Sequence, residues 1–124
     1  MVTKESPISD RSMEYERFRL LLTQTAKDDL DSIVNYMAVD LASPKAAASF
    51  IDKVLSTADN ICIFPESGSR VDNDFLKNAN IRFKVIGNYT LYYLPDFANK
   101  TCTILRVVYG GRNLNGIINN LNQL

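Results

Sequence analysis

At 124 residues, 46% apolar and 23% charged, the chain has the size and composition of one ordinary globular domain with its own core. Two cysteines are too few for a disulfide framework, and no apolar run approaches the ~20 residues of a membrane span. Fourteen Lys/Arg against fourteen Asp/Glu give zero net charge, which argues against a basic nucleic-acid module, and the absence of histidine removes Ser-His and Cys-His nucleophile pairs.

The charge is unevenly spread. Residues 1–63 hold seven Lys/Arg and ten Asp/Glu, a net −3, while residues 64–124 hold seven and four, a net +3. The C-terminal half therefore suits an anionic partner.

In chain order, residues 1–15 are polar and aperiodic and read as a tail; they lack the apolar core of a signal peptide, so a cytoplasmic protein is expected. "RFRLLLTQT" (17–25) alternates like a strand. Thr25-Ala26-Lys27-Asp28 resembles a capping box, and Leu30, Ile33, Val34, Met37 and Leu41 continue as one apolar helical stripe. Ser43-Pro44 restarts the chain as N-cap and first helical residue. A second stripe follows: Ala47, Phe50, Ile51, Val54, Leu55, Ala58, Ile61 and Cys62. Together these spacings predict a helical hairpin packed on a sheet.

Beyond a turn-rich loop (65–80), the runs 81–87, 89–94 and 101–109 are β-branched and aromatic, with links short enough for hairpins. "NLNGIINNLNQL" adds a weak C-terminal helix interrupted by Gly116. The order β-α-α-β-β-β-(α) predicts an α+β fold: an antiparallel sheet of about four strands, the helical hairpin on one face and the other face partly open. Residues 16–124 are expected to form a single domain, with Cys62 and Cys102 as buried thiols.

Candidate chemistry gathers on the last three strands. Alternation in "IRFKVIG" sets Ile81, Phe83 and Val85 on one face and Arg82 and Lys84 on the other, which is expected to face away from the helices. "RVVYGGRN" ends a strand in two glycines and sends Arg112 toward the rim of that face. Cations beside Tyr89, Tyr92, Tyr93 and Tyr109 suit phosphate contact and stacking, and without histidine any enzyme here works with Arg, Lys and Tyr. Metal-independent RNA cleavage permits that set. Arg106 has the parity of Ile104 and Val108, so burying it calls for a carboxylate or carbonyl partner that the sequence does not single out.

The segments "LLLTQTAKDDLDSIVNYM", "AAASFIDKVL", "FPESGSR" and "YTLYYLPDFANKTCTILRVVYGGRN" together resemble the RelE/ParE superfamily of toxins from bacterial type II toxin–antitoxin systems, over roughly residues 17–115. The resemblance implies growth inhibition, a plasmid-stabilization type of role, a cognate antitoxin partner and no cofactor or metal. It leaves three activities open. Poisoning of DNA gyrase is favoured, because Thr90 and Ile118 depart from the nuclease pattern and the helical hairpin is long. Ribosome-dependent mRNA cleavage is the alternative, with Lys84, Arg82, Arg112 and Tyr109 as its catalytic set. A non-toxic antitoxin-binding relative is the third. The target- or antitoxin-binding residues implied are Arg82, Lys84, Arg106, Tyr109, Arg112 and Asn113.

Overall fold

The computed structural model describes residues 17–110 and 114–124, so the N-terminal tail and Gly111, Arg112 and Asn113 lie outside the described residues. Strand β1 (Arg19–Leu22) leads into helix α1 (Gln24–Asn35), which continues through one π-helical turn (Tyr36–Asp40). Helix α2 (Pro44–Ile63) completes the hairpin. Strands β2 (Ser69–Arg70), β3 (Arg82–Ile86), β4 (Tyr89–Asp96) and β5 (Thr101–Tyr109) follow, and helix α3 (Leu114–Gln123) closes the chain. No helix among the described residues is long and apolar enough to cross a membrane.

The expected α+β architecture is present, with two differences in the sheet. Its order is β1-β5-β4-β3-β2, adding the two-residue edge strand β2, and it is mixed. The meander β2–β5 is antiparallel, but β1 runs parallel to β5 with Leu22 opposite Ile104. A parallel pairing needs a long crossover, and the helical hairpin with the meander supplies it.

Helix starts follow side-chain oxygens. Ser43 Oγ accepts the Ala46 N–H at 3.1 Å, as the Ser-Pro signal predicts. At α1 the cap is Thr23, two residues before the expected box: its Oγ1 accepts from Ala26 N–H at 3.0 Å and donates to the Leu105 carbonyl at 2.8 Å. One hydroxyl thus starts the helix and anchors it to β5. The π turn, closed by Leu41 N–H to the Tyr36 carbonyl at 2.9 Å, shifts the helical phase so that Leu41 leaves the stripe and is 53% exposed.

The hairpin buries Ile33, Phe50, Val54, Ala58 and Ile61 against Leu91, Tyr93, Cys102, Ile104 and Val107. The opposite sheet face, expected to be partly open, is covered. Ile118 and Leu121 of α3, with Leu76 and Ile81 of the loop before β3, pack on Tyr92 and Leu105 there. The i, i+3 spacing of Ile118 and Leu121 gives even a short, asparagine-rich helix an apolar edge to bury.

Both cysteines are buried, and Cys102 Sγ donates to the Ile61 carbonyl at 3.3 Å. Burial, and then the neighbouring Cys62, push the Cys102 thiol from 9.0 up to about 12. The folded chain therefore keeps a proton between pH 9 and 12 that the unfolded chain releases. That contribution to stability is complete below pH 9 and is lost as pH rises to 12, by up to roughly 4 kcal/mol. Urea midpoints of the native chain should fall more steeply over pH 9–11 than those of Cys102→Ala; parallel slopes would contradict a buried, protonated thiol.

Candidate functional site

The register of β3 decides where its cations point. Arg82 is opposite Tyr93 and Lys84 opposite Leu91, and both partners belong to the core beneath the hairpin. Arg82 and Lys84 therefore lie on the helix side, not on the face away from the helices as the alternation suggested. With both faces covered, Ile81 and Phe83 serve the second core instead, and period two alone could not choose between the faces.

Arg82 is occupied in holding the fold. Its Nη1 donates to the carbonyls of Gly68 at 2.7 Å and Glu66 at 3.2 Å, and its Nη2 lies 3.7 Å from the Glu66 carboxylate. The same loop is gripped by the fully buried Tyr93, whose hydroxyl accepts from Gly68 N–H at 2.9 Å and donates to the Pro65 carbonyl at 2.8 Å. A Cβ on Gly68 would sit 2.6 Å from that hydroxyl oxygen and 2.7 Å from the Phe83 carbonyl oxygen. The Pro-x-x-Gly segment is thus a structural clasp whose glycine admits the tyrosine. Lys84, half-buried, has no hydrogen bond or ion pair among the described residues.

Arg106 has the partner its burial demanded. Its Nε donates to Asp29 Oδ2 at 2.9 Å and its Nη2 to Oδ1 at 2.7 Å, a bidentate fork. Nη1 donates to Asn120 Oδ1 of α3 at 3.0 Å. Hydrogen bonding to Asp29 is the main cause that raises the guanidinium above its ordinary value, so it stays charged. A β-bulge makes this geometry possible. The pairing steps from Tyr92–Arg106 to Tyr93–Ile104, leaving Leu105 as an extra residue that breaks the simple alternation.

Tyr109, at the last position of β5, remains 50% exposed. It meets Tyr89 edge-to-face with centroids 5.6 Å apart, and Tyr89 leans on Phe50 at 5.2 Å. Burial first, then the neighbouring Tyr36 and Tyr109 hydroxyls, push the Tyr89 phenol above its ordinary value, so it stays neutral rather than acting as a base near neutrality. Tyr36, in the π turn, is 46% exposed, and Val85 at the end of β3 is 66% exposed. Neither is among the expected site residues; the alternation sets Val85 on one face with Ile81 and Phe83.

The end of the sheet thus carries a shallow cleft of about 330 Å³ lined by Val85, Asn88, Tyr89, Thr90, Tyr109 and Gly110. The Gly87-Asn88 turn, with Gly87 at φ 59°, brings the Asn88 carbonyl to Gly110 N–H at 2.8 Å. A side chain on Gly110 would crowd Asn88 and Thr90 at 3.3 Å. Of the expected site residues that are described, only Tyr109 lines this cleft. Arg82 and Arg106 are held elsewhere by internal bonds, and Arg112 and Asn113 lie outside the described residues.

The pattern of the ParE toxin family, "ParE toxin of type II toxin-antitoxin system, parDE", matches residues 20–114. Among solved structures, a chain of the chromosomal ParDE system of P. aeruginosa is similar with TM-score 0.59 and 18% identity, over 75% of this chain and 96% of that one. A chain of the RelBE2 toxin–antitoxin complex of Mycobacterium tuberculosis aligns with TM-score 0.53 and 22% identity, over 75% and 91%. One from the archaeal RelE–RelB complex of Pyrococcus horikoshii OT3 aligns with TM-score 0.52 and 17% identity, over 77% and 98%. At these identities the structures speak to the fold alone. A search of curated proteins by sequence finds no match.

The two β3 cations should respond differently to truncation. Arg82→Ala removes the donor of two carbonyls in a half-buried clasp and should cost about 2–3 kcal/mol. Lys84→Ala should cost under about 0.5 kcal/mol. Urea denaturation of the two variants reads this, and equal costs would contradict the structural role of Arg82.

Proposed function

The chain belongs to the ParE toxin family of type II toxin–antitoxin systems, and from that premise we propose that it arrests growth by binding DNA gyrase through the tyrosine-bearing end of its sheet. The observation that carries this reading is the division of labour among its polar side chains. Arg82 and Arg106 are engaged inside the fold, while Tyr36, Val85 and Tyr109 offer apolar and aromatic surface at one rim. Such a surface favours holding a protein partner over proton transfer, since exposed aromatics are characteristic anchors of interfaces. A cognate antitoxin would keep the chain silent, and the arrest would take place in the cytoplasm. Residues 16–124 would act as the toxin domain, with residues 1–15 as an appendage.

One observation favours a second reading, ribosome-dependent mRNA cleavage. Lys84 has no partner among the described residues, and with Arg112 and Tyr109 it would supply cations and a phenol for attack by a ribose 2′-hydroxyl.

Purified protein added to gyrase and relaxed plasmid should block supercoiling, and the double change Tyr36→Ala/Tyr109→Ala should weaken that block at least tenfold while leaving the fold intact. Unimpaired supercoiling with mRNA cut on translating ribosomes, and cutting abolished by Lys84→Ala, would replace the first reading with the second. Unimpaired gyrase and intact mRNA would leave a protein that only binds its antitoxin.

A further inference from the structure

A second cleft, of about 360 Å³, lies at the opposite end of β3 from the tyrosine rim. The length of that strand, at about 3.3 Å per residue, separates the two by roughly 15 Å. Its lining includes Arg70, Arg82, Asn78, Asn80 and Phe97, together with the carboxylates of Glu66, which faces Arg82, and Asp96, whose oxygens accept from Asn99 N–H and Nδ2 at 3.0 and 2.8 Å. Arg70 and Arg82 are direct partners across β2 and β3, so two like charges share one face at the closest cross-strand separation. Such a pair repels unless an anion compensates it. Arg82 is compensated, by two carbonyls and by the Glu66 carboxylate at 3.7 Å. Arg70 has no hydrogen bond or ion pair among the described residues.

The remaining groups narrow the chemistry. Asn78 Oδ1 accepts the Asn80 N–H at 3.0 Å, a local turn that sets both carboxamides at the cleft and leaves amide groups to donate and accept. Phe97 is 52% exposed, its ring steadied edge-on by Phe18 at 5.2 Å. An unpaired guanidinium, amides able to read a polar edge and a half-exposed aromatic plate are the three components that recognise a nucleotide. The volume lies at the lower end of small-ligand clefts, enough for one such unit.

We propose that this cleft binds one nucleoside phosphate, with the phosphate on Arg70, the base against Phe97 and its edge on Asn78 and Asn80. The site is independent of the tyrosine rim, so it stands or falls apart from the gyrase reading. The ligand is either a free nucleotide or the phosphorylated terminus of a single strand.

The test is isothermal titration of the full chain with AMP, adenosine, inorganic phosphate and a 5′-phosphorylated RNA octamer. AMP should bind at least tenfold more tightly than phosphate or adenosine alone. Arg70→Ala, an exposed change with nothing to unfold, should cut AMP affinity at least tenfold, and Asn80→Ala at least threefold. Tyr109→Ala should leave it unchanged. Equal affinity for AMP and the octamer identifies the free nucleotide; an octamer held at least tenfold more tightly identifies a strand terminus. No binding of any probe at millimolar concentration, phosphate binding as tightly as AMP, or AMP binding indifferent to Arg70→Ala overturns the proposal.

Discussion

The Asp29 carboxylate organises this fold. It accepts the Nε and Nη2 protons of Arg106 and also the backbone N–H of Val107 at 3.0 Å. The position matters because β1 stops pairing with β5 at Ile104, so beyond that point no strand among the described residues lies beside this edge of β5. Helix α1 arrives there instead, with Thr23 bonding the Leu105 carbonyl and Asp29 taking the Val107 N–H. A strand edge is thus satisfied by helix side chains. Through Asn120, the same guanidinium also holds α3. One arginine therefore ties a helix of the hairpin, the central strand and the helix covering the opposite face.

The energetic logic is that of a nearly buried ion pair. Asp29 and Arg106 side chains are 14% and 19% exposed, so each charge has lost most of its water and depends on the other. Among the described residues no buried side-chain nitrogen or oxygen lacks a partner. The pair adds less to stability than its charges suggest, because desolvation offsets much of the attraction. It does exclude other arrangements of α1 and α3 over β5, since any of them would strand a charge.

Much of this could be read from the sequence, and the failures have physical causes. The apolar stripes placed both helices, and the aromatic runs placed the meander. Asp29 was not singled out as a partner because the expected cap at Thr25 put it near the helix start, where acids serve the dipole; with Thr23 as cap it stands two residues further in, and its carboxylate reaches β5. The bulge at Leu105 is invisible to an alternation count, so Arg106 was given the parity of neighbours that in fact face opposite ways. The cations of β3 were assigned to an open face that the C-terminal helix covers. Even the Pro-x-x-Gly segment, informative as a family signature, gave no hint that its glycine is there to admit Tyr93.

Arg82 and Arg106, which look like part of a charged site in sequence, hold a loop and two helices, while exposed Val85 and Tyr109 lie where the β3–β4 turn meets the end of β5. The central claim is that Asp29 and Arg106 act as one unit. A double-mutant cycle of Asp29→Asn and Arg106→Gln, read by urea unfolding, tests it most directly. Each single change should cost about 2–4 kcal/mol, and the double change should cost less than their sum by at least about 1.5 kcal/mol. Costs that add to within about 0.5 kcal/mol would mean the two residues stabilise the fold separately, and the account built on their pairing would be wrong.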